Sequence, residues 1–179
     1  FTGLRVGIVC AKTWAYATKA RIVGVSTFAA IAENSPGDVL TLQVISDAQR
    51  GDLFVGRFQR AAAGEWMPTS AIEILSAETW ASSLTSVDTV AGPGLPKVTE
   101  LIAGRARVLD STQGIARAES IGRLGCREAV AGRFSDLWTL EPLYLRRSSA
   151  EDKWDSRELK RKLVTSPPCS SFPVKTSLP

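Results

Sequence analysis

The sequence predicts an α/β fold, and three observations carry the prediction. A helix-period segment (Arg5 to Lys19), a run rich in β-branched residues (Arg21 to Ser26) and a second, short helix (Thr27 to Glu33) follow one another directly, the order of a layered α/β protein. Two strand-like runs joined by a polar turn come next, between Val39 and Gln59. A second long helix-period segment, Ile115 to Val130, lies beyond a strand that runs into a Gly-Pro-Gly loop. With 179 residues the chain can hold one domain with a sizeable core, since a chain of about 150 residues buries roughly two thirds of its unfolded surface.

In the first helix Val6, Val9, Cys10, Trp14 and Ala17 recur at three- and four-residue spacing, while Ala11 and Ala15 keep another face small. The periodicity implies about four turns, with Thr2 or Gly3 near the N-terminus. "RIVGVS" reads as a buried strand, and "NSPGD" closes the short helix after it. In "DVLTLQVISDAQRGDLFVGRFQR", Val39 to Ser46 is one strand, "DAQRGD" the turn and Leu53 to Gln59 the return, with Gly51 supplying a permissive backbone. A loop around "AAGEWMPTS" leads to the short strand "AIEIL". Ser76 to Leu84 is predicted helical, with Ser76 as N-cap and Glu78 in the first turn, where the helix dipole favours a negative charge. "VDTVAGPG" is a strand entering the Gly-Pro-Gly loop, and in the second long helix Ala118, Ile121, Leu124 and Cys126 are the inward candidates. "LEPLYLRR" is an extended segment whose Pro142 suits an edge or a strand start. Ser149 to Leu163 is expected as a polar helix, weakly amphipathic through Trp154 and Leu159, and the last sixteen residues, with four prolines and four serines, as disordered.

Composition narrows the classes of function. Hydrophobic residues make up 44% and charged residues 22% of the chain, the balance of a soluble domain rather than of a fibrous or wholly disordered protein. No apolar run approaches the roughly 18 residues of a membrane span, and no export signal is evident. No membrane association is therefore expected, and the location expected is cytoplasmic. Cys10, Cys126 and Cys169 have no close pairing, so neither a disulfide framework nor a metal site is indicated; Cys10 and Cys126 read as buried small hydrophobes. The chain contains no histidine. That removes Ser-His-Asp and Cys-His arrangements and the histidine-based metal patterns. Chemistry by this chain alone would rest on carboxylates, Lys or backbone amides, and the expectation is no catalytic and no metal-ligating residue. The net charge of +4 comes from one place: Leu143 to Pro179 holds eight Lys or Arg against four acids, and the remaining residues carry fourteen of each sign. A basic face on the folded body is therefore not expected.

The segment "FTGLRVGIVCAKTWAYATKARIVGVSTFAAIA" resembles the TsaB (YeaZ) family, in which a Gly-rich turn leads to Phe-Thr-Gly-Leu-Arg, an Ala-Lys helix and a Val-Gly-Val-Ser strand with its following helix. "ISDAQRGDLF" is similar to that family's Asp-Ala-Arg-x-Gly-Glu-Val-Tyr hairpin through Asp47, Ala48, Gly51 and, conservatively, Asp52 and Phe54; Gln49 departs from it where the family has Arg. "EPLYLR", Glu141 to Arg146, resembles the family's Pro-x-Tyr-Leu-Arg. The resemblance implies the actin-like, ribonuclease-H-like ASKHA fold with an incomplete N-terminal lobe. Residues 1–147 would form a partial domain and residues 148–179 a basic, partly disordered extension. On the order of 70 residues, one small domain's worth, would precede Phe1 in a family member. The resemblance further implies a non-catalytic subunit that supports TsaD in making threonylcarbamoyladenosine beside the anticodon of tRNA. TsaE is a further candidate partner, tRNA is met through the complex, and ATP and metal are expected on the partner subunits, with no cofactor in this chain. The alternative class is an independent nucleotide-binding or glycoprotease-like hydrolase of the same superfamily; a homodimeric interaction protein is a third.

Candidate site residues follow from these segments. Val6, Val9, Cys10, Thr13, Trp14 and Ala17 form a stripe that serves either as a partner-binding face, as pairing with TsaD through this helix implies, or as ordinary core packing. Thr2 and Gly3 sit at a helix N-terminus, where free amides could receive a phosphate, against the simpler reading of a tight packing turn with Gly3 chosen for fit. Asp47 with Asp52 could hold a metal or act as an acid/base pair, against a solvated turn. "VAGPG" could cradle a phosphate, against a plain loop. "RELKRK", Arg157 to Lys162, could touch tRNA phosphates, against a solvated helix end.

Overall fold

A computed structural model describes residues 2–145 of the chain. The polar helix expected at 149–163, the "RELKRK" cluster, the terminal sixteen residues and Cys169 lie outside the described residues. In chain order the elements are α1 (Thr2–Thr18), α2 (Thr27–Ala32), β1 (Thr41–Asp47), β2 (Asp52–Arg60), β3 (Trp66–Pro68), β4 (Glu73–Ser76), α3 (Ala77–Ser82), β5 (Thr89–Ala91), a 3-10 turn at Leu95–Lys97, α4 (Thr99–Ile102), β6 (Arg107–Val108) and α5 (Ala118–Val130).

One mixed sheet organises them, in the order β3-β2-β1-β5-β6, with β4 also paired to β2. The β1–β2 hairpin runs in register from Thr41 opposite Gln59 to Asp47 opposite Leu53. β3 and β4 continue it antiparallel along β2, whereas β5 runs parallel to β1 and β6 parallel to β5. Parallel neighbours need crossovers, and α3 supplies the one from β4 to β5. Side chains that alternate along the strands divide the core in two. Leu42, Val44, Phe58 and Ala91 meet Phe28, Ile31 and Ala32 of α2 and Trp66 on one face. Ile45, Leu53, Val55 and Val90 meet Trp80 and Ala81 of α3 and Ile102 of α4 on the other. The α/β layering expected from the sequence is thus observed, with β1 buried on both faces.

Ser76 caps α3, its Oγ accepting a 3.1 Å hydrogen bond from the Thr79 amide. At the hairpin turn Gly51 has φ +84°, and Gln49 and Arg50 join it in the left-handed region. Four expectations are corrected. "RIVGVS" forms no strand: its ladder pairing is a single bridge, Ile22 opposite Ser135, because β-branched residues form a ladder only where a neighbouring strand is present to pair. The inward face of α5 is Ser120, buried, with Leu124 half-buried, while Ala118, Ile121 and Cys126 are exposed. The helix docks through polar groups instead: Ser120 Oγ donates to Asn34 Oδ1 at 2.6 Å, and Arg127 pairs with Glu33 at 2.5 Å and Glu65 at 3.3 Å. Cys10 and Cys126 are both exposed, not buried. Finally, Gly3 was not chosen for tight packing: it lies inside α1 with nothing within 4 Å of where a Cβ would stand.

Candidate functional site

The most distinctive surface is α1. Seventeen residues long, it buries Ala15 alone. A helix of 3.6 residues per turn has three sectors here. Leu4, Ile8 and Ala11 line a groove of about 710 Å³ that continues along Val23, Val25 and Phe28, in line with buried Ala15. Opposite them stand Val6, Val9, Cys10, Thr13, Trp14 and Ala17, all exposed, with Val6 at 63%, Val9 at 60% and Trp14 at 72%. Between the two sectors run Arg5, Lys12 and Tyr16. Among the described residues, the stripe read from the sequence is thus exposed along one face of the helix.

Thr2 and Gly3 lie in the first turn of α1, both exposed. Among the described residues no cation joins them: the nearest on the helix, Arg5, donates through Nε to the Tyr144 hydroxyl at 2.5 Å and lies 5.2 Å from its ring centroid.

The Gly-Pro-Gly loop is closed by packing. A Cβ on Gly92, which has φ +124°, would stand 2.2 Å from the Ile45 carbonyl oxygen, and one on Gly114 would stand 2.9 Å from the Gly92 nitrogen. The Gly94 amide donates to Ile45 O, and those of Leu95, Lys97 and Val98 to Gly92, Gly94 and Leu95. Glycine is needed for backbone to lie on backbone, and the amides of Gly94, Leu95, Lys97 and Val98 are already committed.

Asp47 is engaged as well. Its Oδ2 takes a 2.6 Å ion pair from Lys97 and a hydrogen bond from Gln49 Nε2, and its Oδ1 accepts the Gln49 amide at 2.9 Å. The Lys97 bond first, and then the Gln49 amide, hold the carboxyl below its ordinary range. Gln49, the departure from the family pattern, serves here to bracket its own turn. A second hollow of about 500 Å³ lies beside Asn34, Asp110, Gln113, Arg117 and Arg123. Its polar groups are paired internally: Asn34 Nδ2 donates to Ile115 O at 2.7 Å, and Asp110 Oδ1 accepts the Thr112 amide. Among the described residues no group of three His, Cys, Asp or Glu could hold a metal ion, and no helix is long and apolar enough to cross a membrane.

The buried polar chain of the second core was not legible in the sequence. Trp80 Nε1 donates to Gln43 Oε1, and Gln43 Nε2 donates to Asp88 Oδ1. A polar residue at the centre of an apolar strand was the available signal.

Comparison with solved structures places the fold. A Pseudomonas aeruginosa protein with similarity to peptidase YeaZ matches with a TM-score of 0.68 at 23% identity, over 82% of this chain and 68% of that one. YeaZ from Pseudomonas aeruginosa matches with a TM-score of 0.66 at 22% identity, over 80% and 69%. The fold is thus of the actin-like, ribonuclease-H-like class to which these neighbours belong. In sequence, the family model described as TsaD, tRNA N6-adenosine threonylcarbamoyltransferase, matches residues 1–74. The tRNA threonylcarbamoyladenosine biosynthesis protein TsaB of Escherichia coli strain K12 is 27% identical over 172 residues, 88% of this chain and 71% of that protein. Together these matches make the chain similar in sequence to TsaB and, over its first 74 residues, to the TsaD model, and similar in fold to the YeaZ structures.

Proposed function

We propose that this chain is a non-catalytic scaffold subunit that binds and supports TsaD in transferring threonylcarbamoyl to the adenosine beside the anticodon of tRNA. The observation that carries the reading is the outward stripe of α1, in which Val6, Val9, Cys10, Thr13, Trp14 and Ala17 stand exposed on one face. The likeness to TsaB supplies the pathway. The histidine-free composition of these 179 residues agrees with the scaffold role, since the resemblance puts the metal on a partner subunit. The committed amides of the Gly-Pro-Gly loop favour it over a nucleotide-binding enzyme. In this reading the complex is cytoplasmic, TsaE is a further partner, tRNA is met through the complex, and ATP and metal sit on the partner subunits.

The test is size-exclusion chromatography of the chain with TsaD from the same genome, beside a Val6→Glu, Val9→Glu double variant. Both positions are exposed, so the variant keeps its fold. Co-elution of the unsubstituted chain and its loss in the variant are expected. A chain that ignores TsaD and elutes as a dimer, which the same variant converts to a monomer, would reassign the face to self-association.

A further inference from the structure

α1 is a long helix with one buried residue, so the hydrophobic core does not explain how it is held. Side-chain contacts to the 136–144 segment, most of them at the turn 136–140, help to hold it. Asp136 Oδ1 accepts the amides of Trp138 (2.8 Å) and Thr139 (2.9 Å), and the Leu140 amide donates to Asp136 O at 3.0 Å. This is the geometry of a capped helical turn, with an anion at its N-terminal end. Its carbonyls emerge at the other end, and there Lys12 Nζ donates to both Trp138 O and Leu140 O, each at 3.2 Å. On the same sector of α1, Tyr16 packs edge-on against Trp138 with ring centroids 5.8 Å apart, and Arg5 reaches Tyr144. The turn is fixed to the rest of the fold from behind. Ser135 N donates to Ile22 O at 2.9 Å, Gly24 N donates to Ser135 Oγ at 2.8 Å, and Leu140 Cδ1 fills the space where a Gly24 Cβ would stand.

We propose that Lys12 is a positioning residue: by joining the 136–140 turn to α1 it sets the pose in which the helix presents its outward apolar stripe. Its role follows from the chain of contacts. The 22–24 segment holds the turn, the turn offers two carbonyls, and the one cation of α1 that reaches them lies between the groove face and the stripe. Arg5 and Tyr16 add contact from the same sector, but each touches one side chain, whereas Lys12 closes the exposed end of the turn's backbone. Ammonium bonds to carbonyls at a turn's C-terminal end combine hydrogen bonding with the favourable end of the dipole. The consequence for partner binding rests on the scaffold reading above; the positioning itself does not.

The experiment is amide hydrogen exchange on the chain with Lys12→Met and Lys12→Arg, alongside melting temperature and TsaD affinity. Lys12→Met is expected to raise exchange of α1 and of residues 136–140 by of order tenfold while β1, β2 and β5 keep their protection, and Lys12→Arg to restore most of it. TsaD affinity is expected to fall in parallel. Unchanged exchange in α1, or a uniform rise across the sheet, would overturn the proposal. Asp136→Asn, which loosens the turn from its other end at a residue with no hydrogen bond to α1, although its charge is felt by Lys12, must reproduce the local pattern and covers the case in which Lys12→Met fails to fold. If the unsubstituted chain does not bind TsaD, the scaffold reading fails, and the exchange pattern still decides whether Lys12 positions the helix.

Discussion

Trp80 Nε1 donates a 2.9 Å hydrogen bond to Gln43 Oε1, joining the largest fully buried side chain of α3 to the central strand of the sheet. The pair extends to Asp88, which receives Gln43 Nε2 at 3.0 Å and the Thr85 amide and hydroxyl at 2.8 and 2.7 Å. Trp80, Gln43 and Asp88 are each hydrogen-bonded to the next, and such a relay is costly to interrupt.

Trp80→Phe keeps the apolar bulk but leaves Gln43 Oε1 without its donor. A loss of about 1–3 kcal/mol is expected from denaturant unfolding. Gln43→Leu removes partners from both Trp80 and Asp88 and is expected to cost more. Equal losses in the two variants would mean that the chain does not act as a unit.

Gly92→Ala is expected to destabilise by about 3 kcal/mol or more, because the new methyl would meet Ile45 O at 2.2 Å on a backbone with φ +124°. Gly64→Ala, at φ +88° with open space around it, is strained without a clash and is expected to cost about 1–2 kcal/mol. Thermal melts of the two variants separate conformational strain from collision.

Acid should unfold this protein through its aspartates. For Asp88, burial on its own would raise the pKa, but the bonds from Thr85 and Gln43 outweigh it and hold the carboxyl below its ordinary value of 3.8. Asp38, Asp47, Asp110 and Asp136 are lowered too, the first by its bond to Arg107. A depressed carboxylate contributes stability that is present above its unfolded pKa and is lost as pH falls through the folded value. Melting temperature is therefore expected to stay level from neutral pH to about pH 5 and to drop below about pH 4, with a shallower drop in Asp88→Asn. A steep loss above pH 5 would contradict this assignment.

In a Cys169→Ser background, Cys10 and Cys126 are both expected to react with a thiol reagent in the native state, since both are exposed. Cys10 lies on the outward stripe, and Cys126 lies on α5. Under the scaffold reading, added TsaD slows labelling of Cys10 at least tenfold and leaves Cys126 unchanged. Equal protection of both would move the interface off α1.

Millimolar ATP with magnesium is expected to shift the melting temperature by less than about 1 °C, whereas a ligand at a hundred times its Kd adds about 2.7 kcal/mol. A shift of several degrees would favour the nucleotide-binding reading.

Particular residues show how far local information reached. Ser76 was recognisable as a cap because its partner, Thr79, lies three residues away. The Thr41–Asp47 and Asp52–Arg60 hairpin was recognisable because two apolar runs flank a short polar turn containing Gly51. The docking of α5 was not, since Ser120 and Arg127 find Asn34, Glu33 and Glu65 at sequence separations of about sixty residues or more. For the same reason Cys126 is exposed and "RIVGVS" forms no ladder: an apolar residue has a preference for burial, but its neighbours decide whether burial is on offer.

By itself the sequence determined the helices of adequate period, the hairpin, the N-cap, the charge balance and the absence of histidine chemistry, together with the six residues of the α1 stripe as a set. Only the tertiary structure decided that this stripe faces outward, that the Gly-Pro-Gly amides are committed to Ile45 and their own loop, and that Lys12 meets the carbonyls of Trp138 and Leu140. Local propensity is set by residues within a turn or two of each other. Orientation and partnership are set by packing between segments from about fifty to more than a hundred residues apart, whose meeting no local pattern encodes.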